Sequence, residues 1–395
     1  MFPLLWQNST PLNPRKEEAL PHSVETHPLP SERIGTSRSL TVHRFGTPGT
    51  RPKVYIQAGL HADETPGFLT AHHLIRRLAS ARVLGEVVVV PVANPVGLSQ
   101  VVKGTHVGRY ALNDGGNFNR GFADLAEAAQ ARVQGRLGPD AAANVALIRG
   151  ALRDAHAEVR PGDEIAAMKH ALLGLALDAD LVLDLHCDME AVVHLYTGDA
   201  LWPELADLAA DLGAEAVLLA SDSGGPPFDE ACSATWWRLS ERLGAEGPVP
   251  PACAAVTVEL RGKADVDDAR ATADAEAILR TLVRRGVVEG DPVPLPDPAC
   301  EATPLAGLAR VIAPASGVIA FRRSVGDRVE AGETVAEIVD PTAKDPDAAR
   351  IALTAPVAGL VMARSNVRFA GRGDLIASIA GAAALPASGR GLLFD

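Results

Sequence analysis

The sequence predicts an α/β fold followed by a small all-β unit, and three observations carry that prediction. Two apolar runs that read as buried strands, KVYIQAG (53–59) and GEVVVVPVAN (85–94), flank a segment with helical spacing. Alanine-rich helical stretches then lead into a further apolar strand, ADLVLDLHCD (179–188). From residue 311 the chain changes character, to short β-rich runs punctuated by glycine that occur in two copies.

Taken in order, residues 1–36 are rich in proline, serine and polar side chains without a sustained period, and read as an extended or partly disordered arm. SLTVHRFG (39–46) alternates as a strand. The helix between the two buried strands spans about Thr65 to Arg82. Thr65 is placed to cap it, and Pro66 occupies the first turn, where a missing N–H costs nothing. Between Phe122 and about Leu177, breaks at GRLGPD and RPGDE divide the helical spacing into three helices. VVHLYTG, EAVLLAS and CAAVTVELRG read as strands, and a helix from Asp267 to Arg285 closes this unit, assigned to 37–290. Prolines every few residues then mark a linker over 291–310. The copies at 313–338 and 355–379 share A-P-x-x-G, a β-rich run, a glycine turn and a final apolar strand, which predicts a barrel or sandwich over 311–395. This tail is similar to the barrel-sandwich domains of biotinyl and lipoyl carriers. The connection between its copies, DPTAKDPDAARIAL, lacks the lysine flanked by hydrophobic residues that marks cofactor attachment, so an accessory unit is expected.

With 395 residues, 47% of them hydrophobic, the chain can bury a large core. A formal charge of −12 opposes a phosphate backbone, and no basic stripe offsets it, so nucleic acid is not an expected partner. No apolar run approaches the roughly 20 residues needed to span a bilayer, and the start lacks the features of a secretory signal. A cytoplasmic protein without a membrane partner is expected, its state open between monomer and homo-oligomer. Cys187, Cys232, Cys253 and Cys300 are scattered, which reads as reduced thiols.

Candidate chemistry begins at GLHADE (59–64), where His61 and Glu64 follow a buried strand at the end where α/β sheets place their ligand crevices. His186 closes the apolar run LVLDLHCD, and a bare imidazole there needs a partner. The plainer alternatives are a surface His–Glu pair and a core histidine bonded to a carboxylate. Two histidines and one glutamate are also the ligand set of hydrolytic zinc sites, which leave a fourth position for water. Asp184 and Asp188 flank His186 at the two-residue period, and either could orient its ring. Glu259 ends another apolar strand, where burial can raise its pKa into the range of a general base; a strand-end glutamate paired with an arginine is the alternative. The loop GRYALNDGGNFNRGF (108–122) crowds Arg109, Asn117, Asn119 and Arg120 into a glycine-rich stretch, suited to gripping a carboxylate or an oxyanion unless it is only a solvated turn. His72 and His73 lie on the helix as packing or surface residues, and His194 could reach the site from a neighbouring strand.

Gly-x-His-x-x-Glu after a strand, then Asn94-Pro95, Asn-x-Asn-Arg (117–120), Asp-x-His (184–186) and a late Glu259 occur in the order seen in the succinylglutamate desuccinylase/aspartoacylase family. The chain resembles this family over about residues 38–290, and departs from it at Asn117-Phe118, where the family usually has Asp-Leu. The resemblance implies a zinc-carboxypeptidase-like mixed sheet flanked by helices. It also implies His61, Glu64 and His186 as ligands of Zn2+, Glu259 as general base, and Asn119 and Arg120 as binders of a substrate carboxylate. Arg109 would polarise the scissile carbonyl, and Asn117 belongs to the same substrate-binding run. The activity expected is zinc-dependent removal of an acyl group from an N-acyl amino acid or similar small amide. A metallocarboxypeptidase acting on peptides is the alternative within that chemistry, and a non-catalytic carrier or binding protein built on the β unit is the alternative outside it. A serine hydrolase is weaker, because SDSGG lacks the first glycine of the nucleophile elbow.

Overall fold

In a computed structural model, residues 22–31 and 33–386 are described. Nine strands form one twisted sheet: β1 (His22–Leu29), β2 (Arg38–Gly46), β3 (Lys53–Ala58), β4 (Glu86–Val90), β5 (Leu181–Asp188), β6 (Val193–Thr197), β7 (Ala216–Leu219), β8 (Ala254–Gly262) and β9 (Ala302–Pro304). Their order is β1-β2-β4-β3-β5-β8-β6-β7-β9. The central run β4-β3-β5-β8 is parallel, whereas β1, β2 and β6 meet their inner neighbours antiparallel. This is the mixed α/β architecture that the sequence predicts.

Because β3, β4 and β5 are buried on both faces, they read as continuous apolar runs rather than alternating ones. The helices are α1 (Pro66–Leu78), α2 (Ala126–Val133), α3 (Ala141–Glu158), α4 (Glu164–Ala176), α5 (Ala206–Leu212), α6 (Phe228–Leu243) and α7 (Asp268–Arg284). Successive strand residues point to opposite faces. Tyr55 and Val88 accordingly join Ile148, Leu172, Phe228 and Trp236 on the face covered by α2, α3, α4 and α6. Val54, Ile56 and Val87 join Leu74, Leu208 and Ile278 on the face covered by α1, α5 and α7.

Several local readings change. The Thr65 side chain makes no capping hydrogen bond; its backbone is already helical, and Pro66 alone starts α1. Residues 22–29, read as part of an arm, form the edge strand β1. Residues 302–304, within the proline-rich stretch, add in parallel to β7 as β9. The helix α6 has no counterpart in the sequence reading. Residues 1–21 of the expected arm lie outside the described residues.

The C-terminal strands are β10 (Leu308–Ile312), β11 (Gly317–Phe321), β12 (Thr334–Val339), β13 (Arg350–Thr354), β14 (Gly359–Arg364) and β15 (Leu375–Gly381). One sheet holds β10, β15 and β14, and the other holds β13, β12 and β11. Their inner faces share a core of Val311, Ile319, Val335, Ile338, Leu353 and Ile379. The first repeat supplies β11 and β12, the second β14 and β15. This all-β unit is fixed to the large sheet by strand pairing. Glu190 and Ala191 pair with β14, and the Val192 N–H donates to the Met362 carbonyl at 3.0 Å. Ala191, Val192, Leu218, Leu305, Leu360 and Met362 form a buried apolar seam between the units. Arg364 Nε donates to Glu190 at 2.6 Å, and Arg368 pairs with the same carboxylate.

Candidate active site

The site forms where β3, β5 and β8 end side by side. Ala58 is in register with Leu185, and His186 with Glu259, so three parallel strands deliver their last residues to one crevice. After β3 the chain must turn at once. Gly59 does so with φ +70°, where a Cβ would also strike the Phe68 ring. Asn94 locks this turn, donating from Nδ2 to the Leu60 carbonyl at 2.8 Å while its Oδ1 caps a short helix through the Gly97 N–H at 2.7 Å. Asn94-Pro95 therefore serves by shaping the loop that presents His61.

One ligand atom from each of His61, Glu64 and His186 lies within 4.8 Å of the others, and all three residues are buried. His61 Nδ1 is 3.0 Å from Glu64 Oε1, and His186 Nδ1 is 2.8 Å from Glu64 Oε2. Both rings thus turn Nδ1 towards the carboxylate and Nε2 away from it. His61 Nε2 meets Asn117 Oδ1 at 2.9 Å. His186 Nε2 lies 3.0 Å from Asp184 Oδ2, but at an angle too poor for a hydrogen bond, so both atoms remain without a hydrogen-bonded partner. Asp184 is itself held by Gln57 Nε2 at 2.9 Å, and Gln57 Oε1 accepts from the Tyr55 hydroxyl at 2.9 Å. Of the two acids flanking His186, it is Asp184 that stands behind the ring. Asp188 lines the cavity instead and accepts from the Met189 N–H at 2.6 Å.

The donor set fits a divalent cation. Two imidazole nitrogens and a carboxylate converge; Asn117 Oδ1 accepts at the far nitrogen of His61, and the Asp184 carboxylate lies beside the far nitrogen of His186, the kind of outer partner that orients metal-ligating histidines. Without a cation, burial works against charge on every member. Burial raises Glu64, yet His61 and His186 hold it well below the usual carboxylate range. Burial also lowers His186, yet Asp184 and Glu64 outweigh it and hold this ring well above the usual value. His61 is lowered by burial. The Glu64 carboxylate is thus offset by the imidazoles of His61 and His186 and by Arg109 at 3.4 Å.

Glu259 opens onto the same cavity. Burial first, then the charge of Glu64, pushes its carboxyl up to about 8, and its Oε2 is without a hydrogen-bonded partner. Arg109 is delivered by a close backbone approach, since the Gly108 carbonyl accepts from the Ala62 N–H at 2.9 Å and a Cβ on Gly108 would lie 2.3 Å from Asp63 N. Its Nη1 reaches within 3.4 Å of Glu64 Oε1. Asn119 and Arg120 also line the cavity. Asn119 Oδ1 accepts from the Phe228 N–H at 2.8 Å, which leaves its Nδ2 as the donor.

Asn117 differs from the sequence expectation. It stands behind His61 and away from the cavity, with its Oδ1 shared between the ring and the Asn119 N–H at 2.8 Å, so it orients the histidine rather than touching a ligand. His73 faces Asp268 at 2.9 Å, distant from the triad. His194 is fully buried, its Nδ1 against the Val192 carbonyl at 2.9 Å, and does not line the cavity.

The cavity, about 380 Å³, has further walls absent from the sequence reading: Tyr196, Asp229, Glu230 and Lys263 from the large unit, and Leu308 and Arg310 from the β unit. Lys263 Nζ pairs with Asp63 at 2.5 Å. Tyr196 carried a signal, as a polar-tipped ring on an apolar strand. Asp229 and Glu230 open α6, where acids are ordinary partners of the helix dipole, and Arg310 sits on a strand whose docking no local pattern reveals.

Fold and site together define the class: a mixed α/β scaffold with a His-Glu-His cluster at its parallel strand ends. The catalytic-domain model of the succinylglutamate desuccinylase/aspartoacylase family matches residues 50–145, so the family resemblance read from the sequence is borne out. Among solved structures, a protein from Shewanella amazonensis SB2B assigned to this family is 25% identical, with 91% of this chain and 98% of that chain covered at a TM-score of 0.81. A second, from Shewanella frigidimarina NCIMB 400, is 24% identical over 92% and 97% of the two chains at 0.80. A succinylglutamate desuccinylase/aspartoacylase from Rhodobacter sphaeroides is 20% identical over 93% and 97% at 0.64. No curated protein matches the chain. Among the described residues no helix is long and apolar enough to cross a membrane.

Proposed function

We propose that this protein is a zinc-dependent amidohydrolase that removes the acyl group from an N-acyl amino acid or a similar small, carboxylate-bearing amide. The observation that carries this reading is the convergence of His61, Glu64 and His186 in one cavity with a half-buried Glu259 whose Oε2 is without a hydrogen-bonded partner. Zinc held by these three residues would supply Lewis acidity, polarising a carbonyl and lowering the pKa of water to about 7. Burial pushes the Glu259 carboxyl up to about 8, and a dication held beside it would favour its carboxylate form, which would accept a proton from the attacking water at Oε2 and pass it to the departing nitrogen. Arg109 donates to the oxygen on which negative charge develops. Arg120 and the Asn119 Nδ2 grip the carboxylate of the amino-acid part.

The β unit favours small amides over peptides. Leu305, Leu308, Arg310, Leu375 and Ser378 form a roof over the strand ends, and about 380 Å³ suits a small molecule. In this reading the expected bounds of 37–290, 291–310 and 311–395 shift: the hydrolase unit takes in β1 and β9, the β unit that roofs the cavity begins at β10, and the cation is Zn2+. The test is elemental analysis of the purified chain, followed by parallel assays on N-acyl amino acids and dipeptides. Zinc near one equivalent with turnover of the acyl compounds is the expected result. Turnover of dipeptides alone would replace deacylation by carboxypeptidase activity, and loss of neither metal nor activity in His61→Ala would remove the ligand assignment.

A further inference from the structure

The charged groups of the cavity are not evenly spread. Arg109 reaches Glu64 of the triad, whereas Asp229 and Glu230 line the wall formed by the first turn of α6, with Arg120 packed against Gly225 just before it. Asn119 is tied to this wall, because the Phe228 N–H donates to its Oδ1 at 2.8 Å. Asp229 is therefore the next residue after the one that touches the carboxylate anchor.

Its state is unusual for an acid. Asp229 is 7% exposed, and among the described residues no arginine or lysine pairs with it. Glu230, by contrast, accepts from the Ser223 N–H at 2.9 Å. A carboxylate at the first turn of a helix is ordinarily a dipole partner at the surface. This one is buried beside a second acid and faces a cavity, where an unpaired charge is costly and a hydrogen-bonded cation would offset it. Burial, then Glu230 and Asp184, pushes its carboxyl up to about 7 against the smaller opposing effects of the Glu230 N–H and His186. Thr197, Leu218, Ala220 and Thr257 line the same cavity and offer a mostly apolar path for a methylene stem.

From this we infer that the cavity selects amides whose amino-acid part carries a cationic side chain, with Asp229 receiving the charged end. The inference rests on the deacylase reading above and narrows its substrate class. An amino acid held by Arg120 and Asn119 through its carboxylate directs its side chain past Phe228 onto Asp229. An acidic side chain there meets Asp229 and Glu230 together and is repelled.

A matched panel tests this on the full, zinc-loaded chain: Nα-acetylornithine, Nα-acetylnorleucine and Nα-acetylglutamate, which differ chiefly in the charge at the side-chain end. The kcat/KM of the ornithine compound should exceed that of its neutral isostere by about tenfold or more, the scale of one charge-assisted contact. Asp229→Asn should bring that ratio to roughly one, and Asp229→Glu should keep part of it. A wild-type preference for the neutral or acidic compound, or a ratio untouched by Asp229→Asn, overturns the inference while leaving deacylation intact. If none of the three is hydrolysed, the deacylase reading fails, and calorimetric binding of the same compounds to the folded Glu259→Gln chain decides the charge preference. There a cationic-to-neutral Kd ratio near one refutes the role of Asp229.

Discussion

The centre and the edges of the nine-stranded sheet are built on different physical grounds. At the centre, β3, β5 and β8 are nearly continuous apolar runs, buried on both faces, and polar residues that burial alone does not explain stand near their C-terminal ends: His61 just past β3, His186 in β5 and Glu259 in β8. At the edges, β1 and β9 come from stretches of low hydrophobic content and are strands only because a neighbour offers its unpaired backbone. Chemistry sits where the chain determines its own structure, and tertiary pairing supplies the frame around it.

Breaking the centre should have the largest consequence. Glu259→Gln removes the proton acceptor but keeps the shape, so turnover should fall by about 10²–10⁴-fold with zinc content unchanged. Elemental analysis beside the rate assay reads both quantities, and undiminished turnover would exclude Glu259 from proton transfer. Breaking the seam that holds the roof comes next. Met362 is fully buried in the contact between units, so Met362→Ala should cost about 2–5 kcal/mol in denaturant unfolding. If the seam is what positions the roof, this variant should also raise KM more than it lowers kcat. Asp184→Asn, which weakens the acceptor behind His186, should loosen zinc binding by about 10–100-fold while the fold persists. A competitive chelator titration measures that shift, and unchanged affinity would show that Asp184 is only a satisfied core acid.

What the sequence discloses follows the same division. His61, Glu64, His186 and Glu259 are legible because each polar residue follows or interrupts an unmistakable apolar strand, and the strand–helix–strand succession points to an α/β core. Arg109 is legible as chemistry but not as position, since it reaches Glu64 only through the close approach of Gly108 to Ala62. Asn117 misleads because an amide in a polar loop looks the same whether it faces a ligand or the back of a histidine. The helix α6 has mixed composition, with Pro227 at its start and no capping side chain, so neither its start nor Asp229 stands out. The roof is hidden for a further reason: the pairing of Glu190 and Ala191 with β14 joins residues far apart in the chain, and β pairing leaves no mark on either partner's local pattern.

The outer edge should respond most weakly, and in a way that pH reveals. Glu25 on β1 accepts from Arg44 Nε of β2 at 2.8 Å, and this hydrogen bond, against the opposing effect of burial, lowers its carboxyl to about 2. Arg44 also pairs with the buried Glu86 of β4, so one guanidinium ties the edge strand to the interior. A carboxyl with a depressed folded pKa contributes stability that is complete above its unfolded value and disappears as pH falls through the folded one. The contribution should therefore be intact at neutral pH and fade between about 4.5 and about 2. Because Glu25 is about one third exposed, solvent screens the pair and its worth should stay near about 0.5 kcal/mol. Glu25→Gln should accordingly unfold slightly earlier than the parent at neutral pH and match it near pH 2, with faster amide exchange confined to β1. An equal loss of protection across β3 and β5 would mean that the edge is not separable from the centre, and that the chemistry depends on a strand the sequence barely announces.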